Sequence, residues 1–212
     1  MLKRIFLVAV LLSFTLPLFA DELKPIKLPP PQLDSGKKLM QALKDRKSER
    51  SFSQKKLSMN VLSNLFWAAD GINRKESGRR TAPSAVNWQE IDIYVATSGG
   101  LLLYEPKEHD LKPVLNQDIR ALTGKQAFAS EAPMDLIYVA DFSKMGGRST
   151  EEKIFYSAVD TGFISQNVYL YCASEGLATV VRGSIDKDAL AKAMKLRDNQ
   201  KVILAQTVGY SQ

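Results

Sequence analysis

Apolar positions recur at two spacings along this chain, and the spacing separates helices from strands. Leu39, Met40 and Leu43 share one face of a helix that Ser35 can cap and that ends near Arg46. Val61, Leu62, Leu65, Phe66 and Ala69 line one side of a second helix, opened by Ser58 and closed at Gly71. Both helices are predicted to turn these faces to a core. The longest helical pattern runs from Glu151 to Glu175, with Ile154, Phe155, Ala158, Val159, Gly162, Phe163 and Leu170 at helical spacing and Gly176 as its stop. It is long enough to be a central helix. A short helix is predicted over Asp188 to Leu196, and Gln117 to Ser130 also reads as helical.

Ile91, Ile93 and Val95 alternate with other residues as a half-buried strand does, and Gly99 and Gly100 turn the chain into Leu101 to Tyr104. Leu111 to Leu115 return as a hairpin, Met134 to Ala140 reads as a buried strand, and Val202 to Val208 is the last strand. Asn73 to Glu90 has no apolar period but carries Arg79, Arg80, Pro83 and small polar residues, so a long functional loop is expected. Helices and strands mix without regular alternation, which makes the class α+β rather than doubly wound.

The first 20 residues change the picture. Lys3 and Arg4 precede an uncharged run from Ile5 to Ala20 that meets Asp21 and Glu22 directly, the layout of a cleavable signal peptide and shorter than the roughly 20 apolar residues of a membrane span. Residues 21–34 are expected to form a proline-rich extended arm and residues 35–212 one folded domain, in the periplasm or secreted, with no membrane attachment after cleavage. Removing the signal takes two of 29 basic residues and none of 23 acidic ones, leaving 27 minus 23, or +4. No interleaved basic and aromatic stripe accompanies that mild charge, so nucleic acid is not an expected partner. One cysteine, Cys172, and one histidine, His109, cannot build a common zinc site, and no metal is expected. Cys172 reads as a buried thiol and His109 as a solvated loop residue.

Three clusters carry candidate chemistry. In Arg46-Lys47-Ser48-Glu49-Arg50, a helix end followed by a turn lets Arg46, Ser48 and Arg50 converge, and guanidinium groups grip phosphate bidentately. Pro83-Ser84-Ala85-Val86-Asn87-Trp88-Gln89 offers amides to a heterocycle's polar edge. In Gly176-Leu177-Ala178-Thr179-Val180-Val181-Arg182-Gly183, glycines flank an extended piece whose backbone could approach a planar ligand.

In order and spacing these clusters, with the closing Val208-Gly209-Tyr210, resemble the nitroreductase-like FMN-dependent oxidoreductases over roughly Lys38 to Tyr210. Azoline-oxidising dehydrogenases of peptide maturation share parts of the pattern. The resemblance implies an α+β homodimer, with a central mixed or antiparallel sheet flanked by helices and FMN in two interface sites. It assigns Arg46 and Ser48 to the phosphate and ribityl chain, with Lys47 between them, and Arg50 to the flavin pyrimidine, where its charge would tune the potential. It brings Pro83, Ser84 and Asn87 to the polar edge of the ring, and the backbone near Arg182 and Gly183 to flavin N5. No catalytic acid or base is named. Glu90 stands where many members have proline, and Arg79 or Arg80 is a further candidate for phosphate. The function implied is passage of electrons from a donor, NAD(P)H being one candidate, through FMN to a nitro, quinone-like or other electron-poor small molecule. An azoline-type dehydrogenase or a non-catalytic flavin-binding envelope protein is the alternative.

Overall fold

The computed structural model describes residues 24–212; the expected signal peptide, 1–20, and residues 21–23 of the arm lie outside the described residues. In chain order the elements are β1 (Ile26–Lys27), α1 (Leu39–Asp45), α2 (Met59–Asp70), β2 (Ile72–Arg74), β3 (Arg79–Arg80), β4 (Ile91–Thr97), β5 (Gly100–Glu105), β6 (Asp110–Leu115), α3 (Phe128–Glu131), β7 (Met134–Asp141), α4 (Thr150–Glu175), β8 (Leu177–Arg182), α5 (Lys187–Ala193) and β9 (Gln200–Tyr210). Seven strands form one sheet in the order β1-β6-β5-β4-β7-β9-β8, and every neighbouring pair is antiparallel. The fold is therefore α+β, as the lack of regular alternation requires.

Helices cover both faces of this sheet. On one face, Leu65, Phe66 and Ala69 of α2 and Ile164, Val168 and Cys172 of α4 pack on Ile93, Val95, Leu136 and Tyr138. On the other, Leu190 and Met194 in and just after α5 pack with Ile119 on Tyr94, Ile137, Val139 and Val202. The central strand β7 is buried at all eight positions, which accounts for its near-continuous apolar sequence. Cys172 is buried as expected, and burial pushes its thiol up, away from reactivity.

The ends of two helices follow the sequence signals. Ser58 caps α2 by accepting the Val61 N–H at 3.3 Å. Ser149 and Glu152 form a reciprocal capping box on α4, and Gly176 ends it in the left-handed conformation at φ 69°. No helix among the described residues is long and apolar enough to cross a membrane.

Several expectations are corrected. Ser35 does not cap α1, which starts at Leu39 after Lys38; its hydroxyl donates instead to the Gln32 carbonyl at 3.4 Å. Only Ala42 of α1 is buried, and Leu39, Met40 (76% exposed) and Leu43 point away from the core. In the first half of α4 the apolar residues likewise face outward: Ile154, Phe155 (61% exposed), Val159 and Phe163 form a stripe on the surface, while Ser157, Asp160, Thr161 and Ser165 face inward. The expected loop from Asn73 to Glu90 holds the β2-β3 hairpin and a 3-10 turn at Ala85–Asn87. The helix expected over Gln117 to Ser130 is reduced to a 3-10 turn at Arg120–Leu122 and the four-residue α3, because the Thr123 carbonyl accepts from the distant Arg182 guanidinium at 2.6 Å and Lys125 N–H donates to the Ser184 carbonyl. A backbone committed to such tertiary partners cannot close a helical ladder.

His109 is not a solvated loop residue. Ser63 donates its one proton to the Pro29 carbonyl, so its oxygen accepts from His109 Nε2 at 2.8 Å, and His109 Nδ1 accepts from the Tyr104 hydroxyl at 3.0 Å. Burial lowers the histidine pKa, matching this neutral tautomer. The relay fastens the proline-rich arm, whose extended β1 pairs with β6.

Candidate functional site

The segment after α1 runs extended beside the edge strand β8. Glu49 N–H donates to the Thr179 carbonyl and Ser53 N–H to the Tyr210 carbonyl, each at 2.9 Å. Phe52 pins it by packing against Phe128, with ring centroids 5.6 Å apart. So held, Lys47, Ser48 and Arg50 are exposed and Arg46 is half-buried. Lys47 is paired with the Glu49 carboxylate at 3.2 Å.

Tyr169 of α4 joins this cluster to β8. Its hydroxyl accepts the Val181 N–H at 2.9 Å and meets Ser48 Oγ at 2.8 Å, and the Arg46 guanidinium lies 5.4 Å from its ring centroid. With the tyrosine proton directed to Ser48 Oγ, the serine proton is left to donate outward beside Arg46. The first and third clusters thus meet at one patch of hydroxyl and guanidinium donors.

Within the third cluster, Gly183 is exposed but the Arg182 side chain turns inward. It pairs with Asp135, donates to the carbonyl and hydroxyl of Thr123, and lies over the Phe128 ring. Burial pushes the Asp135 carboxyl up to about 6 and the guanidinium down, so desolvation outweighs their mutual attraction. Only the backbone of this residue is left to face a ligand.

The second cluster is strained. Val86, Asn87 and Gln89 have φ of 52°, 59° and 50°, values that non-glycine residues seldom adopt. Ser84 Oγ accepts the Gln89 N–H at 3.1 Å, Trp88 packs edge-on against Tyr156, and Asp160 Oδ2 of α4 accepts the Ala85 N–H at 2.8 Å. Pro83 and Asn87 are exposed. Arg80 is not available to a phosphate, since its guanidinium is committed to Asp70 at 3.4 Å and to Gln89 Oε1 at 3.1 Å; Arg79 is exposed. Among the described residues no group of histidine, cysteine and acidic side chains could hold a metal.

The clusters fall inside the span, residues 43–210, that matches the profile of the nitroreductase family. The chain belongs to the nitroreductase family. A protein of Methanocaldococcus jannaschii named as an assigned nitroreductase is 29% identical over 171 residues, 76% of this chain and 86% of that one. A crystal structure from Ralstonia eutropha JMP134, described as a nitroreductase by assignment, shares 42% identity at a TM-score of 0.85 and covers 89% of this chain and 90% of its own. The NADPH:FMN oxidoreductase of Vibrio harveyi, solved with NAD+, is similar in fold at a TM-score of 0.61 and 18% identity, covering 82% of this chain and 69% of that one.

Placed on this nitroreductase fold, the three clusters do not all converge within one chain. Asp160, which holds the second, and Tyr169, which holds the first and third, are nine residues apart on α4, about two and a half turns, and so project from opposite sides of it. The exposed stripe of Phe155, Val159 and Phe163 lies between those sides. Sequence reasoning missed both anchors. Tyr169 sits in an apolar run where an aromatic reads as core, and Asp160 lies opposite the apolar stripe, where an acid reads as solvated until the structure shows that face turned inward.

Proposed function

We propose that this nitroreductase-family oxidoreductase is an exported, FMN-dependent homodimer that passes electrons from a donor to a small electron-poor substrate. The observation that carries the reading is the junction at Tyr169, which puts Arg46, Ser48 and the Val181 backbone at one accessible patch. The residues fit the cofactor: Arg46 and Ser48 hold the phosphate end with charge-assisted and hydroxyl donors, and the backbone from Val181 to Gly183 lies beside the ring. Arg50 contributes its positive charge to the pyrimidine edge. When bound, FMN supplies the electron transfer, and the chain supplies grip, orientation and exclusion of water.

The outward apolar stripe of α4 and the exposed face of α1 support a subunit interface, because single-chain surfaces seldom leave so many large apolar side chains side by side. A two-fold axis through that stripe brings the partner's second cluster, on the far side of its α4, toward the first and third clusters of this protomer. Asn87 then serves the flavin held by the other protomer. NAD(P)H is the donor considered first, by fold likeness to the Vibrio harveyi enzyme. The signal-like run from Ile5 to Ala20 supports export.

Anaerobic mixing of the purified yellow protein with NADH and with NADPH, followed at the flavin absorbance, tests this. Bleaching in a single reduction is expected, with the colour returning when an electron-poor acceptor such as a quinone is added. A colourless protein after reconstitution with FMN sinks the cofactor assignment, and a yellow protein that neither nucleotide bleaches removes the donor.

A further inference from the structure

Glu90, which follows the strained loop directly, is fully buried, and neither of its carboxylate oxygens has a hydrogen-bond donor among the described residues. Its carboxyl lies against that of Asp160. Asp160 is itself buried, and its Oδ2 is the acceptor that holds the Ala85 N–H at 2.8 Å. Two carboxylates in contact away from water repel, whereas one proton between them replaces repulsion by a strong hydrogen bond and gives Glu90 the partner it lacks.

We propose that Glu90 and Asp160 share one proton and so position the loop from Pro83 to Gln89, holding it in the conformation that presents Asn87 to the flavin. This rests on the flavin reading above. The loop needs such a hold: its three left-handed non-glycine residues persist only if their surroundings over-determine them. Ala85, where the hold acts, is two residues before Asn87.

Burial foremost, and then the neighbouring Asp160 charge, pushes Glu90 up to about 7; burial raises Asp160 as well. The other charged groups around the pair are Asp70 at the end of α2, Arg80 of β3, Asp92 of β4 and Lys144 after β7. Lys144 Nζ donates to the Gln89 carbonyl at 3.2 Å and to Asp92 at 2.8 Å, and Arg148 lies over the Trp88 ring. Lys144 opposes the raised value, and Arg80 faces Asp70 rather than the pair. The hold is complete below about pH 7 and is lost as the pH rises through that value, when the second charge forms.

The chain has two tryptophans, so Trp67→Phe leaves Trp88 as a reporter inside the loop. In that background, Trp88 fluorescence of the apoprotein is expected to show one transition near pH 7. Glu90→Gln, whose amide gives Asp160 a permanent donor, is expected to abolish it, and Asp160→Asn, which gives Glu90 one, to do the same; either folded variant suffices. FMN affinity should fall roughly fivefold to tenfold above the midpoint in the parent and stay within about twofold in Glu90→Gln. A transition that survives Glu90→Gln, or that disappears only in Asp70→Asn, overturns the proposal. Tight FMN binding with no Trp88 transition overturns the pair and leaves the flavin reading intact. A Glu90-dependent transition in a protein that binds no FMN at any pH overturns the flavin reading, and with it the loop's assignment to that ligand.

Discussion

Ser48 and Tyr169, 121 residues apart in sequence, are joined by a hydrogen bond of 2.8 Å. The same tyrosine hydroxyl accepts the Val181 N–H, so one side chain sets the spacing between a phosphate-gripping segment and the strand beside it. Tyr169→Phe keeps the ring under Arg46 and removes only the hydroxyl. It is expected to weaken FMN binding by roughly 1 kcal/mol, the usual net worth of such a bond. Flavin fluorescence titration reads the change, and an unaltered affinity sinks the junction's role.

Arg46→Ala removes a charged donor from the Tyr169 junction, and Arg50→Ala removes one from the exposed segment that follows it. Each is expected to lose about 1.5–3 kcal/mol of FMN affinity, with the circular dichroism spectrum unchanged because neither side chain is in the core. Wild-type affinity in both variants would falsify their placement at the cofactor.

Phe155 and Phe163 dominate the outward stripe of α4. Replacing both by glutamate puts charge into the proposed interface, and light scattering should then report a monomer that has also lost FMN. A wild-type chain that is monomeric with FMN tightly bound argues against the shared site.

Arg182→Met strips the buried Asp135 of its counter-ion. Breaking such a pair costs about 3–5 kcal/mol, and the double variant Arg182→Met with Asp135→Asn should recover part of it. Urea unfolding of both variants checks this; equal losses mean that packing, not charge, holds Arg182 in place.

Asp70 is pushed up to about 7, by burial first, against the pull of Arg80. In the unfolded chain it ionises near 4, so between about pH 4 and 7 the folded state holds a proton that the unfolded state has released. Its contribution to stability therefore falls as pH rises across that window and is flat above it. Relative to Asp70→Asn, the wild-type melting temperature should decline from about pH 4.5 to 7.5; a difference that does not vary with pH contradicts the raised value.

Ends of elements were more legible than their outward partners. Ser58, Gly71 and Gly176 act through local backbone chemistry, and the structure uses each at a helix boundary. The buried run of β7 and the turn at Gly99 and Gly100 were equally plain. The facing of α1 was not, because apolar spacing reveals a stripe but not whether the same chain covers it. Thr123 and Lys125 lose a helix to Arg182 and Ser184, some 60 residues away, which no local propensity records. For the site, the clusters and their residue types were readable, but the division of them between two sides of α4 depends on Asp160 and Tyr169, whose roles appear only in three dimensions.

That division has a genetic consequence. In the proposed dimer, a protomer with Arg46→Ala spoils the flavin it grips, while one with Asn87→Ala spoils the flavin its neighbour grips. Each altered gene alone yields two damaged sites per dimer. Co-expressed, about half the dimers are hybrids, and each hybrid gathers both lesions into one site and leaves the other whole. Two impaired alleles of this gene should therefore complement each other.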